Sequence, residues 1–333
     1  MDSFQTDTGH IGTAGVKAFG ATGVKMSGYG LGTMTWGRDT DEYEAAKQLE
    51  LFLENRGSYV DSASSFGDGA GQIMLGQLLP AFSDTDIFIS AKSGGNRDSQ
   101  RPFDNSRRNL LKCLNATLER LHIDRLDLWL VHGFDSHTPV HETLDALAWA
   151  IDAGLASYVG LCNWPATWVA HAQTYLSQVH RVPLACVQVE FSLVNRTAEN
   201  LLLPYSCATG VSVVAWSPLG RGVLSGKYRF GTPSDSRGAS SHLRSFVAPY
   251  LGRESAVIVE AVCAAAEGLG VAPIDVALAW IRTRSAVTTS LLGARTAAQL
   301  RGILEGAPID LPIEITTALD EVSVCALTSA GSS

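Results

Sequence analysis

The sequence predicts an α/β fold, a single (β/α)8 TIM barrel with an N-terminal β-hairpin and extra C-terminal helices. Three observations carry this. Short apolar runs alternate with amphipathic helical stretches at a nearly constant pace, the pattern of βα units around a parallel sheet. Eight such units can be counted along the 333 residues, the number that closes a barrel. Three of the strand runs also end on a residue capable of chemistry, Asp61, Lys92 and His132. A barrel carries its site at the C-terminal ends of its strands.

In chain order, residues 1–15 are polar and Gly/Thr-rich and read as a flexible tail. Residues 16–19 and 24–26 flank Gly20-Ala-Thr-Gly23 as a hairpin. The strands are expected at 29–33, 59–61, 87–91, 126–132, 156–161, 184–189, 211–215 and 289–291. Helical periodicity falls at 41–55, 70–79, 106–121, 143–153, 164–178, 197–208 and 296–304, with a further pair at 256–269 and 274–284 and a last helix at 313–326. Pro139 begins a helix with Ser136 or Thr138 as its N-cap, which leaves His137 and His141 at an exposed helix entry. Residues 218–250, rich in Gly, Ser, Pro and Arg, are too long for an ordinary βα turn and read as a mobile cover. With 46% hydrophobic residues there is ample material for one core, so residues 16–326 form one domain and 327–333 a second tail.

Composition narrows the partners. A net charge of -8 with scattered basic residues leaves no electrostatic footprint for nucleic acid or an anionic membrane, so a small-molecule ligand is expected. Six widely spaced cysteines without a C-x-x-C pair indicate neither zinc nor a disulfide framework and fit a reducing cytoplasm. No basic-apolar leader and no stretch of about 18 apolar residues points to secretion or membrane insertion. Nothing in the sequence sets an oligomeric state.

A lysine held beside an aspartate at neighbouring strand ends places a cation where negative charge develops on a substrate oxygen. The plainer alternative is a structural ion pair, and on spacing alone the two stand level. The run His132-Gly-Phe-Asp135-Ser-His137-Thr-Pro-Val-His141 superficially resembles a metal site, but its helix-entry context argues against one, and no metal is expected. Gly28-Tyr-Gly-Leu-Gly32 is not the G-x-G-x-x-G of a dinucleotide fold and by itself says little of a nucleotide. Trp216, at a strand end beside a Gly-rich loop, is positioned either for core packing or for stacking on a ligand.

The ordered segments LGTMTWG, VDSASSFGDG, FISAKSG, DRLDLWLVHGFD, YVGLCNW, VQVEFSLVNR, VVAWSPLGRGVLSGKY and LLGARTAAQL make the chain resemble the aldo-keto reductases, in the branch that includes potassium-channel β subunits and bacterial homologues. The resemblance implies NADPH-dependent carbonyl reduction, in which hydride goes to carbon while a tyrosine tuned by Lys, Asp and often His protonates the oxygen. Asp61, Lys92 and His132 take three of those positions. The fourth departs: where the family reads D-T-A-x-x-Y-G, this chain reads Asp61-Ser-Ala-Ser-Ser-Phe66-Gly67. Losing a positioned acid costs about 10² to 10⁴ in rate. Three accounts fit: an imine or iminium substrate that needs only hydride; His132, Lys92 or a water as the acid; or a protein that binds nucleotide without turnover.

The same resemblance implies that Gly32, Thr33 and Met34 line the nicotinamide, that Asn163 and Gln188 hold its carboxamide, and that Trp216 stacks on it. Ser217, Pro218, Leu219, Gly222 and Lys227 would hold the pyrophosphate, with Arg237 closing over it. Gly293, Arg295 and Gln299 match the adenosine end, Arg295 facing the 2′-phosphate with its planar fork. The family's usual Ser is Cys162 here, a weaker donor, and its usual Glu-Asn is Gly302-Ile303, which puts the adenine contacts in question. Trp36, Phe66, Phe103, His132, Phe134 and Trp164 are expected to shape the substrate pocket, with the 218–250 cover.

Overall fold

The computed structural model describes residues 15–95, 101–306 and 309–329. The expected N-terminal tail, apart from Gly15, lies outside them, as do residues 330–333.

The chain opens with an antiparallel hairpin, β1 (Val16–Ala18) and β2 (Lys25–Ser27), with Lys17 opposite Met26. Its turn needs glycine: Gly20 has φ +60° and approaches the wall of the barrel so closely that a Cβ would lie 2.4 Å from the Ala185 carbonyl oxygen. The Gly20 N–H donates to Ser212 Oγ at 2.6 Å. Phe19 and Met26, both fully buried, thereby join Tyr59, Leu128, Leu130, Cys186 and Val214 in an inner core, and the hairpin stoppers the N-terminal end of the barrel.

Eight strands follow: β3 (Tyr29–Gly32), β4 (Tyr59–Ala63), β5 (Phe88–Ser93), β6 (Leu126–Val131), β7 (Ala156–Cys162), β8 (Leu184–Glu190), β9 (Ser212–Trp216) and β10 (Val287–Leu292). Each is parallel to the next, and β10 pairs with β3 to close the barrel. This is the (β/α)8 TIM barrel expected. The strands are buried on both faces, which is why they read as near-continuous apolar runs. Their inner face meets the stopper; their outer face packs on helices through a second, larger core that includes Trp129, Phe191 and Trp280.

The shell consists of α1 (Glu42–Glu54), α2 (Ala70–Leu78), α3 (Arg107–Leu121), α4 (Val140–Asp152), α5 (Ala166–Tyr175), α6 (Leu202–Thr209), the short α7 (Arg244–Val247), α8 (Arg253–Leu269), α9 (Pro273–Arg282), α10 (Ala297–Leu304) and α11 (Ile313–Ser329). Side-chain caps start three of them: Asp41, Ser106 and Thr296 accept from the N–H groups of Glu44, Asn109 and Gln299. Three expectations change. Helix α4 begins at Val140 with Pro139 in the cap position and no side-chain cap, because the Thr138 hydroxyl is spent on Asp135 at 2.7 Å. The expected helix at 197–208 breaks into a 3-10 turn, Thr197–Glu199, and α6. Helix α11 continues to Ser329, through the first residues expected as tail. No single helix among the described residues is long and apolar enough to cross a membrane.

Candidate active site

The period of two along a strand explains where the site comes from. Tyr59 faces the interior of the barrel, so Asp61 does too; Leu128 and Leu130 face inward, and His132 follows in the same register; Cys186 leads to Gln188 and Val214 to Trp216. In this inward register, at or near the C-terminal ends of their strands, stand Gly32, Asp61, Lys92, Cys162, Gln188, Trp216 and Leu291, with His132 and Gly293 just past β6 and β10. All of them line one cleft of about 640 Å³ at the C-terminal end.

At the floor of the cleft, the Lys92 ammonium is paired with Asp61 Oδ2, both side chains almost wholly buried. The other carboxylate oxygen, Oδ1, accepts from Ser90 Oγ at 2.7 Å and Gln188 Nε2 at 3.0 Å. The Tyr59 hydroxyl lies 3.0 Å from Ser90 Oγ, and burial drives its pKa well above the usual range, so it stays protonated. A carboxylate satisfied on both oxygens and an ammonium held by it make a net-neutral, fixed pair.

Phe66 stands over this pair on a 3-10 turn, Phe66–Gly69, whose Gly67, Asp68 and Gly69 all have positive φ. Lys92 Nζ is 5.1 Å from the centre of the Phe66 ring, and His132 meets that ring edge-on at 6.1 Å. His132 Nδ1 is 3.3 Å from Ser65 Oγ. The close approach depends on Gly95, where a Cβ would sit 3.1 Å from His132 Nδ1. Asp61, Lys92, His132 and Phe66 are brought together, and no tyrosine lines the cleft among the described residues.

Beside them Asn163 and Ser217, neither a glycine, hold φ +56° and +53° just past β7 and β9. Backbone in this region is retained where the surroundings over-determine it, commonly at sites. Asn163 Oδ1 accepts from Trp216 Nε1 at 3.0 Å, which fixes the indole as a wall of the cleft. Asn163 Nδ2 lies 3.1 Å from Cys162 Sγ, a thiol that burial pushes up to about 12 and keeps neutral.

The opposite end of the cleft is cationic. Lys227, Arg237 and Arg295 line it, and none of the three is ion-paired among the described residues. Arg237 donates to the Gly293 carbonyl at 3.2 Å. Desolvation, then the charges of Arg237 and Arg295, lower the Lys227 pKa; desolvation and Arg295 lower that of Arg237. Like charges held this close favour an anion between them. Next to them Ile274, Ala298, Gly302 and Ile303 form a small apolar wall.

The sequence profile described as "Aldo/keto reductase family" matches residues 29–324. The chain belongs to the aldo/keto reductase family. Among curated relatives, a rice protein (Oryza sativa subsp. japonica) described as "Probable voltage-gated potassium channel subunit beta" is 30% identical over 285 residues, covering 84% of this chain and 86% of that one. Members of the aldo/keto reductase family are generally NAD(P)H-dependent oxidoreductases. The residues present fit a nicotinamide dinucleotide: an indole wall, amides at the floor, unpaired cations for phosphates and an apolar wall for a base.

Within this aldo/keto reductase site Gly32, Met34, Cys162, Asn163, Gln188, Trp216, Ser217, Pro218, Leu219, Gly222, Lys227, Arg237, Gly293, Arg295 and Gln299 all border the cleft. Thr33 does not: it is fully buried, and its hydroxyl donates to the Asp61 carbonyl at 3.0 Å. The expected aromatic pocket is also corrected. Trp36 is fully buried in the outer core, with Nε1 donating to Gln48 Oε1 at 3.1 Å. Trp164 is buried too, edge-on to Phe134, whose other face stacks on Trp168. Phe103 lies against the backbone of Gly133, where a Cβ would be 2.2 Å from its ring, and backs His132 at 6.3 Å.

The 218–250 segment is built of 3-10 turns, Gly220–Ser225 and Ala248–Tyr250, around α7, and supplies one side of the cleft. Six cleft residues in it escaped the sequence reading: Ser225, Pro233, Asp235 and Ser236, and the pair Arg221 and Phe246. Arg221 grips Glu190 with Nε at 2.7 Å and Nη2 at 2.6 Å, and its guanidinium lies on the rings of Phe246 at 4.1 Å and Tyr250 at 4.8 Å. Phe246 in turn runs nearly parallel to Trp216, 6.4 Å away. A lone arginine in a Gly-rich loop, with a glutamate at the end of the neighbouring strand, was the available signal.

Proposed function

We propose that this chain is an NADPH-dependent reductase delivering hydride to a C=N bond, or an activated C=O bond, of a small molecule without a tyrosine general acid. Phe66 carries the proposal: the position facing Lys92 and His132 holds a ring that has no proton to give. Bound NADPH would supply a hydride to the substrate carbon. An iminium accepting that hydride becomes a neutral amine with no proton required, whereas a ketone needs a proton on oxygen as well. Phe66, Trp216 and Phe246 give the cleft an aromatic lining. The neutral Asp61–Lys92 pair does not oppose an iminium as a free lysine would. Lys227, Arg237 and Arg295 support NADPH over NADH, because three cations exceed what a pyrophosphate alone needs. Free thiols at Cys113, Cys162, Cys186, Cys207 and Cys263 fit a reducing cytoplasm.

A second reading has its own support. The rice relative is described as a channel subunit, and a nucleotide-binding regulatory subunit with little turnover would keep the phosphate end and tolerate Phe66.

The test is NADPH oxidation by the protein and by Phe66→Tyr on matched ketone and cyclic-imine panels, with NADPH binding titrated in parallel. Imine turnover by the unaltered protein supports the reductase. Tight binding with no turnover by either form supports the regulatory reading, and failure to bind NADPH overturns both.

A further inference from the structure

Away from the cleft, the outer faces of α4 and α5 carry a second group of titratable side chains. His141 and Asp145 are four residues apart on α4, and His171 and Tyr175 are four apart on α5, so each pair shares a helix face. The consecutive βα units pack these faces together. His141 Nε2 and His171 Nε2 come to 3.2 Å from each other, both residues exposed to solvent.

The rings are held in that arrangement. Tyr175 stacks on His141, with ring centres 4.5 Å apart and planes at 29°, and lies nearly parallel to His171 at 6.3 Å. Trp168 meets His171 edge-on at 5.6 Å. The Tyr175 hydroxyl donates to Asp145 Oδ1 at 2.9 Å, and His180 Nε2 reaches the same oxygen at 2.8 Å. Asp145 therefore fixes Tyr175, and Tyr175 backs both imidazoles. Without a metal, one ring donates its Nε2–H to the other.

We propose that His141 and His171 form a binding site for a borderline transition-metal dication such as Zn²⁺, Ni²⁺ or Cu²⁺, with water completing its coordination. The geometry is the reason. Two metal–imidazole bonds of about 2.0–2.1 Å at a tetrahedral angle place their nitrogens about 3.3 Å apart, close to the spacing already present. Each ring can offer an Nε2 lone pair once the donor ring moves its hydrogen to Nδ1. Imidazole nitrogen selects these metals over Mg²⁺ and Ca²⁺, which take oxygen ligands. No group of three or more His, Cys, Asp or Glu among the described residues is arranged around a metal, so this is an open, exchangeable site and not a structural one. Neither histidine lines the cleft, and the site is independent of the proposed reduction.

The test is calorimetric titration of the full, tag-free, chelator-stripped chain with Zn²⁺ and with Ni²⁺, alongside His141→Ala, His171→Ala and His180→Ala. One site per chain is expected, weakened at least about tenfold by either of the first two substitutions and unchanged by the third. His141→Gln and His171→Gln, with thermal unfolding of the metal-free forms, guard against loss through misfolding. Absence of saturable binding, or binding that survives both His141→Ala and His171→Ala, overturns the proposal.

Discussion

The two ends of the cleft handle charge in opposite ways. At the floor, Asp61 and Lys92 neutralise each other on adjacent strands, and every oxygen of the carboxylate is satisfied. At the far end, Lys227, Arg237 and Arg295 sit on loops with no ion-pair partner among the described residues, and desolvation with the neighbouring arginine charge lowers the pKa of Lys227 and of Arg237. A charge fixed and paired in the absence of ligand can orient and polarise but adds little to ground-state binding. Charges left uncompensated are stabilised only when an anion arrives. The floor is suited to chemistry, the far end to affinity, and substitutions should separate the two.

The largest effect is expected at the floor. Phe66→Tyr should raise ketone turnover by about 10² to 10⁴ while leaving NADPH affinity unchanged, measured as kcat on the ketone panel against the binding titration. A parallel change in affinity would mean that the floor also serves binding. Lys92→Met comes next: it strands Asp61 as a buried, unpaired carboxylate and should destabilise the fold by about 3–5 kcal/mol, read by urea unfolding. Lys92→Met with Asp61→Asn should recover part of that loss.

At the far end, Arg295→Ala should weaken NADPH binding by about 10- to 100-fold, the worth of charge-assisted phosphate contacts, and leave NADH binding nearly unaltered. Raised salt should weaken NADPH binding in the same direction. The smallest effect belongs to the tie between His242, in the cover, and Asp39, beyond β3, at 2.9 Å. His242→Ala should cost about 0.2–1 kcal/mol, seen chiefly as faster NADPH release. Burial acts to raise the Asp39 pKa, but the bonds from His242 and Arg38 outweigh it, and the net result is below the usual carboxylate value. The contribution of Asp39 is therefore complete above the unfolded carboxylate pKa of about 3.9 and fades as pH falls through the lower, folded value. NADPH release measured downward from neutral pH should quicken only in that acid window.

The sequence made the floor legible because strand periodicity is a strong signal: Asp61, Lys92 and His132 each close an apolar run, and a barrel can put such residues in only one place. The loops were less legible. Trp216 closes β9 in inward register, but Trp36 and Trp164 lie beyond the ends of β3 and β7, where strand periodicity no longer applies; the first donates to Gln48 and the second packs under Phe134. Beyond a strand end, nothing in the spacing distinguishes an aromatic turned toward the cleft from one turned toward the helices. Gly302 and Ile303, read as lost polar contacts, instead contribute an apolar wall, a role that depends on Ile274 from a distant helix. Arg221 was hidden for the same reason, since Glu190, Phe246 and Tyr250 converge on it only in three dimensions.

Phe66 sits on a turn beyond β4, not on the ladder of the barrel. The residues that build the barrel floor cannot be exchanged without disturbing a buried ion pair, but the residue at position 66 can be. Under the proposed reduction, a lineage carrying this scaffold can abandon or regain proton transfer through one substitution, with strand register and charge pairing inherited intact. Reaction type is free to diverge in such proteins while the fold stands still.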